Sequence, residues 1–191
     1  IKNSKLRGVE SYGMICASDE IGLGDLFPAE QEAEILDLSA FDVPAGTPLA
    51  DALDMNDVLL EIDNKSMTNR PDLWGHYGIA REIAALYDLP LVEIKPYQAD
   101  VKSDFKVEIA DPERCPRYIG VEMSGVEVKS SPYQMQNRIW KAGMRPINAL
   151  VDITNYVMLA TGNPTHAFDA DNITDHIVVR RAAEGEKLVL L

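Results

Sequence analysis

One run constrains this chain more than any other: residues 145–169, RPINALVDITNYVMLATGNPTHAFD. Its middle is apolar nearly all round, so the spacing predicts a helix from about Ala149 to Thr161 that lies buried between a sheet and partner elements. Asn148 is placed to cap the helix, and Gly162 to stop it. A buried helix must find partners for Asp152, Thr154 and Asn155, because an unpartnered buried polar group costs about 1–3 kcal/mol. Asp152 and Asn155 are three apart and share a face, with Tyr156 close by. Two readings of this polar stripe stay open: a pocket wall tied to Arg145, or an internal hydrogen-bonded network.

His166 follows in GNPTHAFD, where Gly162, Asn163 and Pro164 enforce a turn and Phe168 is expected to anchor the loop. A turn presents a side chain rigidly, and a near-neutral pKa suits His to acid–base work or to positioning water. A lone His is equally at home in a structural role. A metal reading through His166, Asp169 and Asp171 matches no recognised ligand spacing. The chain has no GxSxG, no paired Cys/His nucleophile and no glycine-rich phosphate loop, so covalent catalysis and nucleotide binding find no support in its residues.

Three segments separate along the 191 residues. Residues 1–27 are rich in Gly with short apolar runs, and read as the tail of a small β module. In the second segment, residues 43–46 make a turn, residues 58–63 read as a strand, and Asp72 is a plausible cap for a helix whose apolar face is Tyr77, Ala80, Ile83, Ala84 and Tyr87. Residues 88–90 stop that helix. Trp74 and His76 at its start fit a helix-start packing role or a binding patch. A linker at residues 93–103 introduces the third segment. There residues 105–110 and 118–123 alternate as strands do, and residues 176–182 and 187–191 suggest a strand pair about a Glu184–Gly185 turn. Between them, SPYQ opens a further helix, with Ser131 as cap, Pro132 at its first position, Gln134 completing a capping box and Gly143 at its end. The class is α+β, with mixed sheets and packed helices.

The net charge of −13 is unevenly spread. Residues 1–100 hold 7 basic against 19 acidic side chains, whereas residues 114–145 hold 6 against 2. The acidic half should avoid phosphates; Lys129, Arg138, Lys141, Arg145, Arg180 and Arg181 are the candidates to touch a few, although a solvated helix face explains them equally well. Cys16 and Cys115 are far apart and read as small hydrophobes, with neither a disulfide framework nor a zinc site. No apolar run approaches a membrane span and no signal peptide is present, so a soluble cytoplasmic protein is expected. Ile1 and the apolar residues 189–191 do not look like natural termini, which suggests an excised fragment.

Together with NRPDLWGHYGIAREIAAL over residues 69–86, the run at residues 145–169 resembles the beta subunit of bacterial-type phenylalanyl-tRNA synthetase, in the segment that leads into and begins its editing region. SYGMICASDEIGL, residues 11–23, is similar to the closing strand of that subunit's inserted OB-fold module. The resemblance implies a remnant of the OB-fold tRNA-binding module at residues 1–30, a B1-like α+β segment at 34–95, and the N-terminal part of a B3/B4 editing domain at 104–191. It also implies a heterotetramer of two alpha and two beta subunits that joins phenylalanine to its tRNA with ATP and magnesium. That chemistry sits in the alpha subunit, so no cofactor is expected in this segment.

The B3/B4 domain of the family hydrolyses tyrosine wrongly attached to the phenylalanine tRNA. Carried over by motif, His166 would orient water or the terminal adenosine, Asn155 and Arg145 would hold the 3′ end, and Thr154 and Pro164 would complete the lining. The family's acidic residue that reads the tyrosine hydroxyl lies downstream of HAFD, beyond Leu191. The rival expectations are a non-catalytic module that scaffolds the synthetase and braces tRNA, and a free-standing trans-editing esterase.

Overall fold

The computed structural model describes residues 3–32, 34–98 and 104–189. Part of the linker expected at 93–103 therefore lies outside the described residues, as do the last two residues of the strand expected at 187–191. The chain divides into two compact units, Ile1–Pro90 with Val128–Thr165, and Leu91–Glu127 with His166–Leu191. Short helices and two separate two-stranded sheets make an α+β fold, as the sequence implies.

The first unit begins with an antiparallel hairpin of β1 (Ser4–Leu6) and β2 (Val9–Ser11). Arg7 and Gly8 between them both have positive φ, 49° and 86°, the backbone that matches the twist of a tight two-residue hairpin. A 3-10 turn at Asp19–Ile21 ends on Gly22 in the left-handed region, and the chain then buries Leu23 and Leu26. Phe27 stacks on Tyr133 at 5.8 Å and Phe41 meets the same ring edge-on at 4.8 Å, so this segment is part of the core. The expected turn forms at Pro44–Thr47, and α1 (Leu49–Ala52) follows, with Leu53 wholly buried behind it.

Three longer helices complete this unit: α2 (His76–Tyr87), α3 (Tyr133–Lys141) and α4 (Ala149–Thr161). The helix expected after Asp72 starts later. Pro71–Trp74 forms a 3-10 turn, Gly75 is the residue before α2, and the Asp72 carboxylate is taken by Arg70 and Arg81 instead of free helix amides. These guanidinium groups hold Asp72 well below the usual carboxylate range, and Asp72 with Glu82 raises Arg70 further. Asp88, at φ 52°, ends α2 where the sequence places the stop.

Ser131 likewise does not cap α3. Its hydroxyl reaches across to the Asp152 carboxylate, a buried acceptor that outcompetes solvent-facing helix amides, and the residue before α3 is Pro132. Gly143, at φ 85°, ends the helix, with Met144 N–H donating to the Ile139 carbonyl at 3.1 Å. Asn148 caps α4 as expected, its side-chain oxygen accepting from the N–H groups of Leu150 and Val151, both at 3.1 Å. Gly162, at φ 76°, closes it. The burial expected for α4 is not found. Within the first unit it packs on α2, α3 and the turn before α2, and its one fully buried residue is Asp152.

The second unit is a parallel pair of β3 (Val107–Ile109) and β4 (Ile177–Val179), in the register Val107 with Ile177 and Ile109 with Val179. The expected pairing of residues 176–182 with 187–191 is thus replaced by a long-range one. The turn at Glu184–Gly185 does form, closed by Glu186 N–H to the Ala183 carbonyl at 3.1 Å, but it carries no ladder among the described residues. Residues 118–123 and, in the first unit, 58–63 are not strands. An extended segment becomes a strand only when a neighbour takes its backbone groups, and none does so among the described residues. Val58, Leu59 and Leu60 stand 72–81% exposed.

Candidate functional site

The N-terminal end of α4 is built around Asp152, which is 1% exposed. One carboxylate oxygen accepts the Ser131 hydroxyl and the other accepts the Ile147 N–H at 2.8 Å. Ser131, itself buried, receives at its carbonyl the side-chain amide of Gln136 at 2.5 Å. A carboxylate near a helix N-terminus also faces the positive end of the helix dipole. The polar stripe is therefore in part a hydrogen-bonded network, though its tie runs from Asp152 to Ser131 and Ile147 and not to Arg145. Tyr156 Oη accepts from Arg138 at 2.9 Å, which joins α4 to α3 by a second route.

The first unit holds four of the five residues that the resemblance selects. Thr154 is half-buried and its hydroxyl donates to the Val151 carbonyl at 2.7 Å, a local bond of the kind that keeps Thr content inside a helix. Asn155 is half-buried and its side chain makes no hydrogen bond among the described residues. Arg145 is exposed and has neither an ion-pair nor a hydrogen-bond partner among them. Pro164 is exposed in the turn after Gly162.

His166 belongs to the second unit. It is exposed, with its ring edge-on to Phe168 at 4.4 Å. Phe168 is itself 52% exposed, so it braces the His ring without sinking into a core. The Asp169 carboxylate is occupied as the cap of the Ala170–Asn172 turn, accepting Asp171 N–H at 3.1 Å and the Asn172 amide at 2.9 Å. Among the described residues no group of three or more His, Cys, Asp or Glu is gathered to hold a metal.

Further along this unit His176 lies between two carboxylates, 2.7 Å from Asp175 and 3.3 Å from Glu108, which raise its pKa, Asp175 most. Arg180 forks onto Glu186 at 2.9 and 2.6 Å, and with the Ala183 N–H this holds Glu186 down at about 2.

The basic candidates sort themselves accordingly. Lys141 is taken by the Asp54 carbonyl at 2.5 Å and by Asp57 at 3.2 Å, Arg138 by Tyr156, and Arg180 by Glu186. Lys129, Arg145 and Arg181 stand exposed with no side-chain partner among the described residues.

Two contacts fix α2 against α4. His76 Nδ1–H donates to the Leu159 carbonyl at 2.8 Å, one of the C-terminal carbonyls a helix leaves unpaired. The packing reading of His76 is the one realised, while Trp74 beside it is 69% exposed. An added Cβ on Gly75 would fall 2.3 Å from the Gly162 amide nitrogen, so both helix ends need their glycines. Residue reasoning did not foresee that Tyr133 and Asn137 of α3 bind the carbonyls of Leu53 and Asp54, at 2.8–3.1 Å. Partners about 80 positions apart leave no local signal.

Two hollows of the first unit bear on the site. One, of about 350 Å³, is edged by Asp25, Glu34, Asp37, Gln136 and Asp152. The other is an open groove of about 1150 Å³ between the 57–68 loop and Trp74, Arg138, Tyr156 and Leu159. None of the five residues selected by the resemblance lines either one.

Residues 114–191 match the family model described as the B3/4 domain. Along its whole length it is 40% identical to the phenylalanine–tRNA ligase beta subunit of Fusobacterium nucleatum, 42% to that of Pectobacterium atrosepticum and 44% to that of Anaeromyxobacter dehalogenans, covering 23%, 23% and 24% of those proteins. Along its whole length the chain is similar to one part of these phenylalanine–tRNA ligase beta subunits. It spans about a quarter of the length of the curated relatives it matches. No helix among the described residues is long and apolar enough to cross a membrane.

Proposed function

We propose that this segment carries part of the site that hydrolyses tyrosine wrongly esterified to the phenylalanine tRNA. The observation that carries this reading is the B3/4 match over residues 114–191, which includes Arg145, Thr154, Asn155, Pro164 and His166. A hydrophobic amino-acid site discriminates weakly against a substrate that merely adds a hydroxyl, so a second, hydrolytic site restores accuracy. The reaction adds water to the ester carbonyl and releases tyrosine and the 3′ hydroxyl of the terminal adenosine. No protein nucleophile is required.

Arg145 brings an unpaired guanidinium for the phosphates of the 3′ end, and Asn155 an amide whose donors and acceptor have no partner within the described chain. Thr154 and Pro164 line the substrate beside them. His166, braced on Phe168, orients water or the terminal adenosine. In the whole protein the segment works in the cytoplasm within a heterotetramer of two alpha and two beta subunits, whose ATP- and magnesium-dependent aminoacylation belongs to the alpha subunit. Residues 1–30 derive from an OB-fold module, residues 34–95 from a B1-like segment, and residues 104–191 open the B3/B4 domain.

The test is deacylation of phenylalanine tRNA mischarged with tyrosine, by the intact parent enzyme and its His166→Ala form at equal folding. Loss of hydrolysis with phenylalanylation preserved is the expected result; unchanged hydrolysis returns His166 to a structural role. A second reading, a scaffold that braces tRNA and subunits without chemistry, draws on the exposed apolar side chains of Val58, Leu59, Leu60 and Trp74.

A further inference from the structure

Arg145 stands in a loop with few restraints. Met144 N–H is held by the Ile139 carbonyl at the end of α3, and Pro146 has no N–H to give. Among the described residues the only hydrogen bond made by residues 145–147 is that from Ile147 N–H to the buried carboxylate of Asp152, at 2.8 Å. Asp152 is in turn held on its other oxygen by Ser131, whose carbonyl takes the Gln136 amide. The path from α3 through Ser131 and Asp152 back to Ile147 closes a clamp around the loop that presents Arg145. Because Ser131 and Asp152 are buried and Arg145 is exposed, the hold on Ile147 N–H persists while the guanidinium is free to meet a ligand.

We propose that Asp152 is a positioning residue for RNA recognition: it sets the backbone of residues 145–147 and thereby the place of the Arg145 guanidinium. The inference rests on the reading that Arg145 holds the 3′ end of the tRNA. Asp152 touches no substrate and moves no proton. Its carboxylate supplies two acceptors, one for each arm of the clamp, whereas Ala at the same place supplies neither. Ser131→Ala releases one arm and leaves the Ile147 bond in place.

The test is a double-mutant cycle in the intact parent enzyme, with tyrosyl-phenylalanine tRNA as substrate and steady-state deacylation as the readout. Arg145→Ala and Asp152→Ala are each expected to raise KM about tenfold with kcat within about twofold, the scale of one lost charge-assisted contact. The double variant is expected to be no worse than Arg145→Ala alone, because Asp152 has nothing left to position. A double variant whose KM rises by the product of the two single effects overturns the proposal, as does a loss confined to kcat. If Arg145→Ala leaves both constants unchanged, the underlying reading of the site fails and the proposal with it. Should Asp152→Ala not fold, Ser131→Ala carries the same cycle, with an expected KM rise of about threefold that again vanishes beside Arg145→Ala.

Discussion

Gly75 and Gly162 meet backbone to backbone: a Cβ built on Gly75 would stand 2.3 Å from the amide nitrogen of Gly162, and one built on Gly162 would stand 2.9 Å from the Pro71 carbonyl. The string at residues 69–86 and residues 145–165 of the second string therefore meet at a packed junction within the first unit. The close approach brings His76 within reach of the Leu159 carbonyl and seats the start of α2 on the end of α4.

Gly75→Ala is expected to destabilise the chain by about 1–3 kcal/mol or more, since the obstructing atoms are backbone and cannot swing aside as a flexible side chain would. Urea unfolding against the parent sequence measures this. An unchanged midpoint would show that the helix junction is looser than the structure describes.

Asn148→Ala should cost about 1 kcal/mol through the loss of the one side-chain oxygen that accepts two N–H groups at the start of α4. Asn148→Asp should retain most of the stability, because a carboxylate caps as well and favours the helix N-terminus. Equal losses in both variants would argue that the side chain does not act as a cap.

Glu186 is expected to titrate near 2 instead of its ordinary 4.5, chiefly because of Arg180. Its folded-state pKa is depressed, so the stability it contributes is present above the unfolded value and is lost as pH falls from about 4.5 through about 2. Carboxyl carbon chemical shifts followed by NMR would show this, and Arg180→Gln should return the midpoint toward the ordinary value. A midpoint unmoved by that substitution would contradict the ion pair.

His176 titrates in the opposite sense. Its pKa is raised by Asp175 first and Glu108 second, so the stability it adds is fully present below the ordinary value of 6.5 and disappears as pH rises through the raised folded value. Ring-proton NMR should place its midpoint above 6.5, and Asp175→Asn should lower it more than Glu108→Gln does, matching the contacts of 2.7 and 3.3 Å. A larger response to the Glu108 substitution would reverse the assignment of the dominant partner.

Local chemistry was legible in the order of residues. Asn148 before an apolar run and Gly162 after it marked both ends of α4, Gly143 ended α3, and Asp88 ended α2, because caps and stops are decided by neighbours a few positions away. The α+β class and the resemblance to the beta subunits could also be read directly, the second from motif strings in linear order.

What the sequence could not settle were choices between competing partners. Ser131 and Asp72 are both sound helix caps in isolation, yet Ser131 serves a buried carboxylate 21 positions away and Asp72 serves two arginines. Residues 58–63 have the composition of a strand and lack a ladder, while residues 177–179 found theirs with residues 107–109 instead of the nearer segment past Gly185. Sequence by itself determined where helices could begin and end and which family pattern the chain follows. The tertiary structure decided which polar group met which, because a hydrogen bond across the fold is selected by burial and distance, and neither is written in the spacing along the chain.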